Sequence, residues 1–261
     1  MPRQVFVSLL PALLDASRLA GGSAVVIDVL RASTTVCAAL HAGASRVVPF
    51  ASVDDARRFA DRLSESGDRP LLGGERSGVK IDGFNLGNSP LEYTADVVAG
   101  RTVVFTTTNG TRALLAAGAA DRIYMGTYAN LNPLCDQLAR DSGDVHLICA
   151  GTDGQITLED AVAAGEIATA LEQRISTLAL GNDEAAIAMT LSRTASQDDT
   201  RLQALRMGRG GRNLIELGYD DDIEFCAKIG TAPVVPVFHE GALVLKAPSA
   251  QAAGDDAEWA I

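Results

Sequence analysis

Asp28 ends the apolar run Ala24 to Ile27, and an ionised carboxylate in that position needs a cation or several hydrogen-bond donors to offset its burial. Arg31, in the turn that follows, is one such partner, and an Asp28–Arg31 pair would then be structural. The other reading is chemical: Asp28 binds Mg2+ or attacks phosphorus. Polar turns also follow two further apolar runs, so that three stand out: Asp28 to Thr35, Thr106 to Thr111 (TTTNGT) and Cys149 to Gly154 (CAGTDG). Each combines hydroxyls with small residues that let backbone N–H groups approach an anion, and each leads into a helical pattern whose dipole favours negative charge. Ser33, Thr34, Asn109 and Thr111 equally suit the plainer work of N-caps and turns.

The segment from Leu71 to Pro90 is Gly-dense and carries Glu75, Arg76, Lys80 and Asp82. It reads as a loop, either functional or merely solvated. Arg76 and Lys80 are its cationic side chains, and a guanidinium suits a planar carboxylate through its two-pronged donor geometry. Glu159 and Asp160 lie near the start of a helical segment, where acidic groups favour the helix N-terminus. A hard cation such as Mg2+ needs only one or two carboxylates plus water and substrate oxygens, so Asp28 with Glu159, Asp160 or Glu75 suffices.

Missing patterns narrow the chemistry. No Cys is followed by Arg at the spacing of Cys-nucleophile phosphatases, and Asp28-Val-Leu lacks the second Asp of the haloacid dehalogenase signature. There is no phosphate-binding GxxxxGK[ST], and Gly208-Arg-Gly-Gly-Arg-Asn fails the dinucleotide fingerprint at its last position. His41, His146 and His239 have no metal-binding spacing, which argues against zinc.

The elements that must position these turns follow from periodicity. Ala24 to Val29, Arg46 to Phe50, Thr102 to Phe105, Arg122 to Met125 and Val145 to Cys149 read as buried strands, whereas Thr34 to Ala42, Val53 to Ser64, Gly110 to Ala117 and Asn130 to Arg140 read as helices. This alternation predicts an α/β fold: three layers, α/β/α, with a largely parallel or mixed sheet. VVIDVLRASTTVCAALHAGASRVV and VVFTTTNGTRALLAAGAADRIYM share a strand, polar turn, Ala-rich helix, strand pattern, either an internal repeat or two ordinary βαβ units. From Leu158 to about Ala227 the chain reads as mostly helical, and VVPVF with GALVLK as a closing strand pair. No linker divides the chain, so residues 1–247 are expected to form a single domain, or two intimate subdomains with a border near 155–160, followed by a tail at 248–261.

A net charge of −11 makes a bare surface repel nucleic acid and anionic lipid, so a site for an anionic metabolite must concentrate cationic groups locally. The N-terminus lacks the pattern of an export signal or membrane span. Cys37, Cys135, Cys149 and Cys226 lie far apart without a CxxC pair and are expected as reduced, buried thiols.

Taken in order, VVIDVLRASTT, LGGERSG with IDGFNLGNSP, TTTNGT, CAGTDG with LEDAVAAG, and GRNLIELGYDDDIEFCAKIGTAPVVPVF resemble the 2-phosphosulfolactate phosphatase family of coenzyme M biosynthesis, over roughly residues 24 to 238. The resemblance implies a magnesium-dependent acid phosphatase acting on phosphate esters of 2-hydroxycarboxylic acids, (R)-2-phospho-3-sulfolactate among them, with an α/β fold unlike the common phosphatase folds. Carried onto this chain, it implies Asp28, Arg31 and Glu75 as catalytic, with Asp28, Glu159 and Asp160 as metal ligands. It implies Ser33, Thr34, Arg76, Thr107, Asn109, Gly110, Thr111 and Asp153 as substrate-binding residues, with Arg76 or Lys80 holding the substrate carboxylate or sulfonate. The physiological ester stays open, as does the choice between attack by Asp28 and attack by metal-activated water. The expectation is a cytoplasmic phosphoric monoester hydrolase with Mg2+ as cofactor, a small anionic phosphate ester as ligand, and no nucleic-acid or membrane partner. A homodimer is expected only from the general prevalence of two-fold assemblies. The rival reading is a non-catalytic sensor of phosphorylated metabolites, which would use the same turns without turnover.

Overall fold

In the computed structural model, which describes residues 2–245, each apolar run named above contains a strand and each amphipathic segment a helix. The expected tail, 248–261, lies outside the described residues. The first half of the chain contains β1 (Gln4–Ser8), β2 (Ser23–Ile27), α1 (Ala32–His41), β3 (Arg46–Phe50), α2 (Val53–Glu65), β4 (Leu71–Arg76), β5 (Val79–Lys80), α3 (Ala95–Val98), β6 (Thr102–Thr106), α4 (Gly110–Ala116) and β7 (Arg122–Gly126). Then follow α5 (Leu131–Arg140), β8 (Val145–Cys149), α6 (Leu158–Arg174), β9 (Ala179–Leu180), α7 (Asp183–Ser192), α8 (Asp198–Met207), α9 (Arg209–Glu216), α10 (Asp220–Cys226), β10 (Val237–His239) and β11 (Ala242–Val244). Among the described residues no helix is long and apolar enough to cross a membrane.

One element corrects the sequence reading. The Gly-dense segment expected as a loop begins as strand β4, whose residues Leu71 to Gly74 pair in parallel with Val103 to Thr106 of β6. Its glycines serve close packing: a Cβ on Gly74 would sit 2.0 Å from the Thr106 carbonyl oxygen. Composition alone makes such a segment look like a loop, because close backbone approach and loop freedom both select glycine.

The strands form one mixed sheet in the order β5-β4-β6-β3-β11-β10-β7-β2-β8-β1-β9. The group β4-β6-β3 is parallel, and so is the group β7-β2-β8-β1-β9. The hairpin β10–β11 stitches them together through antiparallel pairs to β7 and β3, so the two groups run in opposite directions. Strands β9, β10 and β11, which follow residues 155–160 in the chain, thus belong to the same sheet as the earlier ones.

The sequence repeat is real in space, but it is not a pair of ordinary βαβ units. Strand β2 lies in one parallel group and β3 in the other, while β6-α4-β7 crosses in the reverse sense. The order β6-β3-β11-β10-β7-β2 therefore reads the same from either end when the repeats are exchanged. The first residues of the two repeat helices meet, since a Cβ on Gly110 would sit 2.9 Å from the Cβ of Ala32.

Strand β2 is buried on both faces. Val25 and Ile27 join a core with α5, α6 and α7, while Ala24 and Val26 join a second core with α1 and α4. A third core packs α2 on β3 and β6 through Ala56, Val48 and Val104. Each of these buried Val, Leu or Ile side chains contributes roughly 1.5–3 kcal/mol. A register slip of β2 would therefore exchange packed neighbours on both faces, which keeps Asp28 at the strand end.

Candidate active site

The loops after β2 and β6 and the turn between β4 and β5 converge on one cavity of about 140 Å³. Of the expected residues, Asp28, Arg31, Glu75, Thr107, Asn109 and Asp153 line it. Asp28 is nearly buried, and its Oδ1 accepts a hydrogen bond of 3.2 Å from the Ala32 N–H at the start of α1. Its Oδ2 accepts none among the described residues, and Gly110 packs close beside it: a Cβ there would lie 3.1 Å away, a tight contact. Burial pushes the Asp28 carboxyl well above the ordinary carboxylate range, and the negative charges of Asp160, Glu75 and Glu159 push the same way, with the Ala32 N–H opposing them.

Ser33 and Thr34 are fully buried and bond inward rather than into the cavity. The Asp28 N–H donates to Ser33 Oγ at 2.9 Å, and that hydroxyl donates to the Val26 carbonyl at 3.2 Å. Thr34 Oγ1 donates to the Val29 carbonyl at 2.9 Å and shares a 2.8 Å hydrogen bond with Thr127 Oγ1. Both hydroxyls shape the Asp28 turn from beneath. Thr111 stands likewise behind the cavity wall, with its Oγ1 3.4 Å from that of Thr107.

Glu75 is an organiser. Its Oε1 accepts from the N–H and hydroxyl of Thr108 at 2.9 and 3.0 Å, and its Oε2 accepts from the Gly78 N–H at 2.7 Å. One carboxylate thus pins the turn after β6 to the turn between β4 and β5. Its neighbour Arg76, alternating to the other side of the strand, donates to the carbonyls of Glu75 and Ala51 at 2.8 Å each and does not line the cavity. Lys80 is exposed and also lies off the lining. Neither is placed to grip a substrate acid group.

Arg31 does not pair with Asp28. Its Nη1 donates to Asp222 Oδ2 at 2.6 Å, and its Nη2 donates to the Gly78 carbonyl at 2.8 Å. It is the one basic side chain of the cavity lining among the described residues. Asp153 sits on the same wall in a left-handed backbone conformation and pairs through Oδ2 with Arg209 at 3.1 Å.

The expected metal trio is not brought together as one ligand set. Asp160 Oδ1 accepts from the Val29 N–H at 2.9 Å and Oδ2 from the Gly151 N–H at 3.0 Å, which ties the first turn to the third. Glu159 Oε1 accepts from the Gly210 N–H at 2.9 Å, while Oε2 is buried without a partner. Burial, then Asp160, pushes Glu159 up to about 8. Burial also raises Asp160 to about 6, against the N–H groups of Val29 and Gly151. Among the described residues no three His, Cys, Asp or Glu side chains group as a metal site.

The donor chemistry nevertheless fits a hard cation held by few protein ligands. Asp28 offers an oxygen without a hydrogen bond among the described residues, and Glu75, Asp153 and Arg31 line the same cavity. A dianionic ester entering that wall needs further positive charge, and Mg2+ with one or two carboxylates and a shell of water and substrate oxygens is a form that cation adopts. Sequence reasoning missed Thr108, Asn88 and Asp222. Thr108 lies inside the quoted TTTNGT turn; Asn88 and Asp222 carry no local signal, because their partners are distant in the chain.

The family model described as 2-phosphosulpholactate phosphatase matches residues 8–241. A probable 2-phosphosulfolactate phosphatase of Symbiobacterium thermophilum is 46% identical over 234 residues, covering 88% of this chain and 97% of that protein. Proteins with the same description from Carboxydothermus hydrogenoformans and Thermotoga maritima are 39% and 37% identical, covering 85% and 86% of this chain and 89% and 92% of their own lengths.

Proposed function

We propose, from the premise that this chain belongs to the 2-phosphosulfolactate phosphatase family, that it hydrolyses the phosphate ester of a small 2-hydroxy acid, 2-phosphosulfolactate foremost, with Mg2+ as cofactor. The observation that carries this reading is the convergence of Asp28, Arg31, Glu75 and the Thr107–Asn109 turn on one cavity. Asp28, through its free Oδ2, and Glu75 as its neighbour in the lining would hold the cation. When bound, Mg2+ supplies charge neutralisation at the phosphoryl oxygens and an acidified water.

The chain's own residues supply the rest. Arg31 offers a fixed positive charge to the ester's anionic groups, with guanidinium donors beyond the two already engaged. Thr107 and Asn109 present a hydroxyl and an amide around the same space, while the N–H and hydroxyl of Thr108 are committed to Glu75. Glu75 orients Thr108, and Gly110 lets α4 approach Asp28 closely. Preorganised donors of this kind stabilise charge as it develops on the transferred group.

Four free, buried cysteines suit a reducing compartment, which supports the cytoplasm as the place of action. A homodimer rests on the prevalence of two-fold assemblies alone, and light scattering would test it. The reading as a whole is tested by phosphate release from phosphosulfolactate, phospholactate and phosphoglycolate, with and without Mg2+. Turnover that needs the metal and favours these acids over p-nitrophenyl phosphate is expected; phosphate binding without turnover would leave a sensor instead.

A further inference from the structure

We propose that Asp222, in α10, is the positioning residue that holds Arg31 as the cavity's anion-binding cation. The inference rests on the phosphatase reading above and adds to it a residue outside the cavity wall. Asp222 is 2% exposed and both its oxygens are engaged: Oδ2 by Arg31 Nη1 at 2.6 Å and Oδ1 by the Ser89 hydroxyl at 2.6 Å. The guanidinium is fixed on its face as well, with its carbon 4.3 Å from the centre of the Tyr219 ring, and at its other nitrogen by the Gly78 carbonyl. Edge, face and second edge are therefore all set by groups that do not belong to the Asp28 turn.

The placement matters because Asp28 and Glu75 line the same cavity. An arginine released from Asp222 would find these carboxylates within its own wall and pair with them. That collapse would remove the cation from the ester and cover the free oxygen of Asp28. The same carboxylate reaches a further cavity residue indirectly: Ser89 follows Asn88, which lines the cavity and whose buried Oδ1 has no partner among the described residues. Asp222 so links Arg31 to the Asn88–Ser89 segment, which α1 also holds through the 2.9 Å hydrogen bond from Thr35 Oγ1 to the Asn88 carbonyl.

Hydrolysis of 2-phosphosulfolactate and direct titration with inorganic phosphate, in wild type, Asp222→Asn, Arg31→Ala and the double variant, test the proposal. Asp222→Asn is expected to lower kcat/KM and to weaken phosphate binding, each by about 10- to 100-fold, the scale of one charged hydrogen bond. Added to Arg31→Ala, it should change neither any further, because its effect passes through the arginine. A merely structural role would instead lower the melting temperature and cost as much activity in the Arg31→Ala background as in wild type. That result, or a folded Asp222→Asn with wild-type constants, overturns the proposal. If Asp222→Asn does not fold, Ser89→Ala decides, since it leaves both charges in place: a smaller loss that vanishes in the Arg31→Ala background supports the proposal, and no loss overturns it. A wild-type protein that binds phosphate but hydrolyses none of the esters sinks the phosphatase reading, and the titration then judges Asp222 alone.

Discussion

Asp28 lines the cavity with one oxygen bound at the start of α1 and the other without a hydrogen bond among the described residues. Asp28→Asn keeps an acceptor for the Ala32 N–H but removes the charge. Turnover is expected to fall by at least about 100-fold while the melting temperature changes little; a folded Asp28→Asn with wild-type phosphate release would falsify the assignment. Arg76 lends itself to the opposite expectation. It bonds two carbonyls outside the cavity, so Arg76→Ala should shift stability by no more than about 0.5 kcal/mol and leave the preference for phospholactate over p-nitrophenyl phosphate unchanged. Loss of that preference would return Arg76 to the substrate. Cys149 is buried in β8, and burial raises its thiol well above the ordinary range, so no thiolate is available there. Cys149→Ala should keep most of its activity, and complete loss with unchanged melting behaviour would reopen thiol catalysis.

At the scale of elements, the site depends on α1 and α4 entering the same space from opposite repeats. Gly110 permits that approach, because a Cβ there meets Ala32 Cβ at 2.9 Å and Asp28 Oδ2 at 3.1 Å. Gly110→Ala is expected to cost roughly 1–3 kcal/mol by overpacking and to reduce turnover by displacing Asp28. Adding Ala32→Gly removes the closest of these contacts and should recover part of the stability, as urea melts of the single and double variants would show. Equal stability of wild type and Gly110→Ala would mean that the two helices have room to separate.

The whole molecule carries net negative charge and gathers Asp28, Glu75, Glu159 and Asp160 within electrostatic reach of one another. Glu159 moves from 4.5 up to about 8 on folding. Between those values the folded chain keeps a proton that the unfolded chain has released, so stability is fully present below the lower value and is lost as pH rises through the upper one. In metal-free buffer the melting temperature should therefore be lower at about pH 8.5 than at about pH 5.5, and Glu159→Gln should flatten that slope. An unchanged slope in Glu159→Gln would place the pH dependence elsewhere. Mg2+ that binds only the folded chain should raise the melting temperature, and its removal by a chelator should stop turnover.

Local pattern alone determined the five central strands and the helices between them, because an unbroken Val- and Ile-rich run has few stable places other than a strand buried on both faces. It also marked Asp28 and the Thr106–Thr111 turn, since a carboxylate at the end of such a run and a polar, small-residue turn are visible from adjacent residues. Strand β4 was hidden, because its glycines answer to Thr106 across the sheet and not to their own neighbours. The partner of Arg31 was hidden for the same reason: Asp222 lies 191 residues away. Alternation along a strand turned Glu75 into the cavity and Arg76 out of it, and backbone N–H groups of α9 and of two other turns claimed Glu159 and Asp160 respectively. Which carboxylate faces a cation and which holds two loops together is set by the order of strands in the sheet, a relation between distant segments that spacing along the chain does not contain.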